Sequence, residues 1–436
     1  MMYFALTGFI LFALAAVVID MGFVMVTQRL MEPGAEAAAL EGLRHRDDLT
    51  IADPLERDRQ RRERASALVT WLYDDNLNPT DGDALPIGAG PLITMTGGVT
   101  DAMALQTITL GDPPVFKPRL QTNHDTNEKH GDMVAGAFTL NPDYPADDPR
   151  AENAIYDRRD FLPETDSDTV PHAPAFLVRI RRTNNFEGLD DLPGESSHGP
   201  TMPLLLGRGS LVSKERDPAL NPNNYSIREH GVSVRATHIA EGRPVIAVGR
   251  RINPDSSNDF AGLRGITDYA LEYAVWTNDN LFPNGSRTAV TVDMRGNIYL
   301  PTRPGVQIGF FHNRDATAGA TYLGQELVNP GAPVNVPAIA PASPAEQNRL
   351  DLYVPLYRNL GDGTLRVVGF GHASMTVDGG GQVRIRKLGG AIAPANATTS
   401  FGALPNGVDA TILTIWQTLN QADQRSQVLL APVLVR

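Results

Sequence analysis

Residues 1–19, MMYFALTGFILFALAAVVI, carry no charge, and the apolar character resumes after Asp20 and continues through Val26. A helix needs about 20 apolar residues to cross a bilayer, and no second run of that length follows. A cleaved secretory signal is the alternative, but it has a basic start and a small-residue cleavage site soon after the apolar run. Here the first arginine is Arg29. We therefore expect a retained transmembrane helix.

The orientation of this helix is set by the basic residues that flank it. These residues, Arg29, Arg44 and Arg46, follow the helix, and the positive-inside tendency would place them in the cytoplasm. This conflicts with an exported chain. A basic leader, removed by processing ahead of Met1, would resolve the conflict.

Composition excludes several classes of partner and cofactor. The formal net charge of −12 argues against nucleic acid, because phosphate binding needs a basic face. The absence of cysteine excludes disulfides, Cys-ligated zinc and iron–sulfur clusters. The 40 glycines and 33 prolines have no fixed period and favour a turn-rich β protein.

Two helices are predicted at the start of the chain. Helical periodicity continues from Asp20 to Arg46, and Pro33-Gly34 predicts a kink or brief break. The segment Asp53-Pro54-Leu55-Glu56 has the capping pattern of a second helix, which should end near Asn76.

The second helix should place Leu68, Trp71 and Leu72 on one face. Five arginines fall between Arg57 and Arg64, interleaved with Asp58 and Glu63. A solvated face is the favoured interpretation, and contact with acidic neighbours or lipid headgroups is the alternative.

From about residue 80 the hydrophobic period changes to two, which predicts half-buried antiparallel strands in sandwich-like or barrel-like domains. The predicted fold class is therefore α+β: a long hydrophobic N-terminal helix, a second helix and mainly antiparallel β domains. Alternation is seen at 103–110, 175–183, 231–239, 287–293, 350–357, 364–370 and 381–387. A helical segment at 409–423 interrupts the strands, and a C-terminal strand is expected in QVLLAPVLVR.

The predicted domains are 1–46, the hydrophobic helix; 47–79, a linker and the second helix; 80–250, a β-rich domain; and 251–436, a second β-rich domain. The last two could form a single domain. Residues 141–174 have little periodicity and predict a surface loop.

The N-terminal tenth of the chain resembles TadE/TadG-like proteins of the Tad (Flp-type) pilus system. These proteins share an apolar helix, an Asp-x-Gly pair, an Arg-Leu pair and an alanine-rich tract. The corresponding residues are Asp20-Met21-Gly22, Arg29-Leu30 and 35–40, AEAAAL. Residues 179–210 and 228–249 also resemble TadG-like proteins. Pro33-Gly34 departs from the family, which keeps helix formers there.

The resemblance implies a structural subunit of an extracellular pilus-like filament on the bacterial cell surface. Its helix would be stored in the membrane and then packed in the filament core, with copies of the chain and the Tad-type assembly machinery as partners. The assembly residues would be Gly8, Asp20, Gly22, Arg29, Pro33 and Gly34.

Asp20 has two interpretations. An acid in apolar surroundings is costly unless paired, so it could pair with a neighbouring subunit's amino terminus or Arg29. Alternatively, it lies at the bilayer edge and extends to water.

Catalytic and metal-binding motifs are not recognisable, so we expect neither an enzyme nor a cofactor. His124, Asp125, His130 and Asp132 form the densest group, for which a polar loop is favoured over a metal site. Acidic loops at 81–83 and 166–168 lack the spacing of an EF-hand. Residues 255–259, DSSND, lack the second serine of the adhesion-domain metal motif found in some TadG-like proteins.

Two other functions remain open. One is a membrane-anchored minor pilin, adhesin or pilus-assembly protein of the cell envelope. The other is an anchored secreted enzyme, which the missing motifs disfavour.

Overall fold

A computed structural model of the chain describes residues 2–46, 51, 53–74, 88–96, 107–123, 126–138, 161–183, 199–205, 231–249, 270–278, 280, 287–292, 298–299, 307–308, 320–327, 350–361, 364–377, 383–387, 397–404, 407–419, 428 and 430–435. Its helices are α1 (Met2–Arg44), α2 (Pro54–Tyr73), the short α3 (Tyr273–Trp276) and α4 (Ala410–Leu419). Turns of 3-10 helix lie at Val170–His172 and Phe401–Ala403.

Mainly antiparallel sheets, joined by loops, make up the rest of the described chain. The strands are β1 (Pro91–Thr96), β2 (Thr107–Val115), β3 (Met133–Phe138), β4 (Phe161–Pro163), β5 (Ala175–Arg182), β6 (Val234–Pro244), β7 (Ala247–Gly249), β8 (Leu271–Glu272), β9 (Arg287–Val292), β10 (Ile298–Tyr299), β11 (Gln307–Ile308), β12 (Ala320–Tyr322), β13 (Leu350–Asn359), β14 (Leu365–Val377), β15 (Val383–Lys387), β16 (Ala397–Thr398) and β17 (Leu430–Leu434).

The strands form sheets of two, seven, three and five strands, ordered β1-β2, β11-β10-β9-β15-β14-β13-β8, β12-β7-β16 and β17-β6-β5-β3-β4. Nearly all described pairings are antiparallel, and β13 with β8 is parallel. The predicted α+β class is confirmed: a long apolar helix, a second helix and mainly antiparallel sheets.

The chain divides into two compact units. One unit contains Met1–Leu43, Pro54–Glu241 and Leu434–Arg436, and the other contains Arg44–Asp53 and Gly242–Val433. The first unit therefore holds both long helices together with β1–β5. We call it the helical unit.

In the helical unit, α1 and α2 cover one face of β5. Their buried side chains form a single cluster with those of the sheet: Met31, Ala35, Ala38 and Ala39 of α1, Ala65, Val69 and Tyr73 of α2, and Phe176, Val178 and Ile180 of β5. The opposite face of β5 contributes Ala175 and Leu177 to another cluster. All eight residues of β5 are therefore buried, rather than alternating as predicted.

Small residues of α1 allow this close packing. A Cβ atom on Gly42 would lie 2.2 Å from the Phe176 ring, far inside van der Waals contact. The alanine-rich tract that follows the apolar run is therefore the part of α1 that packs against the sheet.

The second unit has its own core around β13 and β14. Trp276 of α3 is fully buried there, and Gly371 of β14 leaves room for its indole ring. The fully buried Lys387 donates a hydrogen bond to the Trp276 carbonyl at 2.6 Å. The helix predicted at 409–423 is confirmed over Ala410–Leu419 as α4, and 420–423 lie outside the described residues. The predicted C-terminal strand is confirmed as β17.

The predicted surface loop at 141–174 is partly wrong. Residues 161–174 contain β4 and a 3-10 turn, and Phe161 and Val170 are buried. Residues 141–160 lie outside the described part of the chain.

Candidate functional site

The N-terminal half of α1 is exposed and apolar on every side. Phe9, Ile10, Leu11 and Phe12 are four consecutive exposed side chains, which at about 100° per residue occupy nearly the whole helix circumference. The other large exposed apolar residues before Asp20 are Tyr3, Leu6, Leu14, Val17, Val18 and Ile19. A helix that is hydrophobic all round requires lipid or protein to cover it.

Among the α1 side chains that the structure describes, Asp20 is the first buried one, with 4% of its surface exposed. Residues 2–19 rise about 27 Å at 1.5 Å per residue, close to the roughly 30 Å thickness of a bilayer's hydrocarbon core. By length and composition α1 is able to cross a membrane. An N-terminal signal sequence shares this property.

The Asp20 carboxylate contacts its own chain. Its Oδ1 atom accepts a hydrogen bond from the Leu205 N–H at 2.8 Å. Seven residues further along α1, the buried Thr27 hydroxyl contacts the Met202 sulfur at 3.6 Å. The segment at 199–205 therefore lies beside α1, and its last described residue contacts the point where the exposed half begins.

The other predicted assembly residues have different surroundings. Arg29 is largely exposed and lies 3.6 Å from Glu32. Gly8 and Gly22 have free space around them: a Cβ atom added at either position would have no neighbouring atom within 4 Å. The structure therefore does not bring Asp20 and Arg29 of one chain together as an ion pair.

Pro33 and Gly34 lie inside α1, which continues to Arg44. The predicted brief break is therefore wrong. The reason is a side chain from α2: the Tyr73 hydroxyl donates to the Leu30 carbonyl at 2.6 Å and accepts from the Gly34 N–H at 3.1 Å. These are the two groups that an i to i−4 bond would join in a regular helix, so Tyr73 bridges the ladder beside the proline.

Glycine is required at position 34 because the Tyr73 ring occupies the space of a side chain. A built Cβ would lie 2.4 Å from that ring. Burial also raises the pKa of Tyr73 to about 12, so its hydroxyl remains a donor throughout the physiological range.

We expect Tyr73→Phe to destabilise the helical unit by about 1–3 kcal/mol, because it removes the hydrogen-bond partner of a buried amide and a partly buried carbonyl. Hydrogen exchange of the α1 and α2 amides would measure the loss. Thr70→Val is the matched control, since the exposed Thr70 hydroxyl bonds only within α2. An equal effect of both changes would contradict the bridge.

The inner face of α2 is charged. Arg57, Asp58, Arg61 and Arg62 are buried together with Ala65, Val69 and Tyr73. The predicted solvated arginine face is therefore wrong for three of its five members, and Trp71, predicted on the apolar face, is exposed.

Asp58 neutralises two buried arginines. Its Oδ1 accepts from Arg61 Nε at 2.6 Å, and its Oδ2 accepts from Arg62 Nε at 2.8 Å. Burial alone would raise the pKa of Asp58, but the two guanidinium groups hold it below its ordinary value. Burial lowers the pKa of Arg62 to about 10, and Asp58 opposes this shift. We call these residues, Asp58, Arg61 and Arg62, the buried triad.

The buried triad joins α2 to the sheet and its loops. Arg62 donates to the Met133 carbonyl and the Asn127 side chain, each at 2.7 Å. Both guanidinium groups also lie over the Phe176 ring of β5, at 5.0 and 5.6 Å.

We expect the buried triad to make stability depend on acid. Because the folded pKa of Asp58 is lower than its unfolded value of about 3.9, its contribution is present above that value and lost as pH falls through the folded pKa. Urea unfolding followed by hydrogen exchange in α2 should show wild type losing its advantage over Asp58→Asn below about pH 4. A constant difference at lower pH would contradict this assignment.

Arginines of β5 hold neighbouring loops in the same way. Arg179 donates to the Gly131 carbonyl at 2.8 Å, and Arg181 donates to the same carbonyl at 2.9 Å. Arg182 donates to the Pro200 carbonyl at 2.9 Å, and burial lowers the pKa of Arg182 to about 10. These contacts are structural: guanidinium groups satisfy carbonyls of irregular backbone.

The groups considered for metal binding have other partners or lie outside the described residues. Asp132 is buried and accepts from the Gln121 N–H at 2.9 Å, and Asp166 accepts from the Asp168 N–H at 3.0 Å. Within the described ranges, no group of three or more His, Asp or Glu residues could hold a metal ion. His124, Asp125, 81–83 and 255–259 are outside those ranges.

Sequence reasoning missed Tyr73, Phe176 and Leu205. For Tyr73 the sequence offered one indication: it lies four and eight residues after Val69 and Ala65, and so on the same side of the helix. Leu205 had none, because a backbone amide carries no sequence information.

Comparison with known proteins adds no assignment: no protein-family model, no curated protein and no solved structure matches this chain.

Proposed function

We propose that this chain is a pilin-like structural subunit of an extracellular bacterial filament. The helix α1 is held in the membrane before assembly and packs in the filament core afterwards, with copies of the chain and a Tad-type machinery as partners. The observation that carries the proposal is that α1 is exposed and apolar on every side before Asp20, whereas from Met31 onward it packs against β5.

The same geometry suits both environments. Before assembly, lipid tails cover residues 2–19, whose length of about 27 Å matches the hydrocarbon core. In a filament, copies of α1 replace the lipid and bury the same side chains. The predicted sandwich-like or barrel-like packing of the sheets is part of this proposal and forms the displayed surface.

Electron microscopy of material sheared from cells that express the full chain tests the proposal. We expect helical filaments whose central density fits α1. Chain that remains entirely in the membrane fraction, without periodic assemblies, would overturn the filament role.

A membrane-anchored minor pilin, adhesin or assembly protein is the second candidate. The observation that favours it is the hydrogen bond between Asp20 and Leu205 of the same chain. An acid that is already bonded within its own subunit has less need of a neighbour's cation.

Asp20→Asn tests whether the Asp20 charge pairs with a neighbouring subunit. Asparagine keeps an oxygen that accepts from Leu205 but removes the negative charge. If Asp20 pairs with a neighbour's amino terminus or Arg29 during assembly, filament yield should fall sharply while the membrane-bound amount is unchanged. Wild-type filament yield would contradict the pairing. Gln28→Glu, an exposed change on the same helix, controls for altered charge.

A further inference from the structure

A cavity of about 120 Å³ lies in the second unit, between α4, α3 and the hairpin formed by β13 and β14. It is accessible from solvent, because Leu360, Thr414 and Thr418 line it and are exposed. An engineered apolar cavity of about 150 Å³ takes up benzene, a ring of six carbons. By that comparison the cavity holds an apolar group of about four or five carbons.

The inner wall of the cavity is apolar. Four of the residues that line it have less than a tenth of their surface exposed: Tyr273, Val368, Ile415 and Leu419. The two threonine hydroxyls donate to carbonyls of α4, Thr414 to Ala410 at 2.8 Å and Thr418 to Thr414 at 2.9 Å. Among the described residues that line the cavity, Arg358 alone is charged. The wall therefore favours a hydrocarbon chain, and Arg358 is the group that can recognise a charged end.

The positive charge of Arg358 is held beside the cavity. Its guanidinium lies over the Tyr273 ring, 4.8 Å from the ring centre. Arg366 is directly opposite Arg358 in the ladder between β13 and β14, and like charges opposite each other are unfavourable. Glu326 pairs with Arg366 at 3.4 Å, whereas no carboxylate in the described part of the chain pairs with Arg358. One positive charge therefore remains for a ligand to compensate.

From this arrangement we infer that the cavity binds a short aliphatic carboxylate of about four or five carbons. Its chain packs against Val368, Ile415 and Leu419, and its carboxylate accepts hydrogen bonds from the Arg358 guanidinium. The planar fork of a guanidinium matches the two oxygens of a carboxylate. This inference goes beyond the proposed structural role and does not depend on it, because the described lining residues all belong to the second unit.

Pentanoate is the probe, and pentanamide is its neutral counterpart of the same length and shape. Methyl NMR of the detergent-solubilised full chain follows the isoleucine, leucine and valine side chains during titration. We expect saturable shifts of Val368, Ile415 and Leu419 with a dissociation constant of about 1 mM for pentanoate. Pentanamide should bind about tenfold more weakly, because it makes no charge-assisted hydrogen bond.

Arg358→Met removes the charge and keeps an unbranched apolar side chain. It should weaken pentanoate binding about tenfold and leave pentanamide binding unchanged. Arg366→Met is the matched control, since Arg366 lies opposite Arg358 but does not line the cavity. This control should bind pentanoate as wild type does.

Thr418→Phe fills the cavity from the exposed side of α4 and should abolish the binding of both probes. Thermal unfolding shows whether this variant is folded. Equal pentanoate affinity of wild type and Arg358→Met would overturn the carboxylate site, as would pentanoate binding that persists in folded Thr418→Phe. The absence of saturable shifts in wild type, at pentanoate concentrations well above the expected dissociation constant, would also overturn it.

Discussion

Replacing Asp58 with alanine should destabilise the helical unit by about 3–5 kcal/mol, the usual cost of removing one partner from a buried ionic group. The carboxylate is the charge that compensates Arg61 and Arg62, whose side chains have no exposed surface. Without this carboxylate, two neighbouring positive charges remain buried on the inner face of α2. Urea unfolding of the detergent-solubilised full chain, followed by hydrogen exchange in α2 and β5, would measure the effect.

Glu63→Ala is the matched control. Glu63 also pairs with an arginine of α2, Arg59, but both groups are partly exposed, and such pairs contribute little. A second variant, in which Asp58, Arg61 and Arg62 are all replaced by leucine or methionine, should recover much of the stability lost in Asp58→Ala, because the desolvation cost disappears with the charges. Equal effects of Asp58→Ala and Glu63→Ala would contradict the role of the buried triad.

The elements that local patterns specify could be predicted from sequence. Pro54 begins α2 as its capping pattern indicates, and β5, β9 and β13–β15 coincide with alternating segments. The apolar run and the alanine-rich tract form a single helix. These features depend on residues near each other in the chain, so periodicity and capping are sufficient to find them.

The buried face of α2 could not be predicted in the same way. A run of arginines and acids is typical of a solvated helix. The large apolar side chains of Leu68 and Trp71 led to the prediction of a buried face on a different side of α2 from the one that is buried. The burial of Arg61 and Arg62 depends on Phe176 and on carbonyls more than 60 residues away, such as that of Met133. Long-range partners of this kind leave no local period.

The same limit applies to the helix break at Pro33-Gly34. The local rule that proline interrupts a helix is sound, but here the Tyr73 hydroxyl joins the Gly34 amide to the Leu30 carbonyl beside the proline, and the helix continues. This compensation comes from a residue 39 positions away. Asp20 is comparable, since its partner is a backbone amide 185 positions away.

If α1 anchors the chain in the membrane as proposed, placing arginine at both Leu11 and Leu14 should release it. Both side chains are exposed near the middle of the apolar half of α1, and arginine at the centre of a spanning helix costs about 2.5–3.5 kcal/mol per residue on insertion scales. The fold of the helical unit should persist, because its packing with α1 begins at Asp20. Alkaline extraction of membranes measures anchoring, and hydrogen exchange in α2 measures folding.

The double variant Met25→Arg with Gln28→Arg adds the same charge beyond Asp20 and serves as the control. Both positions are exposed and lie about 7–12 Å past Asp20 along the helix, so this variant should remain in the membrane. Retention of the Leu11→Arg, Leu14→Arg variant would contradict a lipid environment for the exposed half. Release of both variants would instead place the membrane boundary beyond Gln28, because only a longer buried segment would make all four positions equally costly to charge.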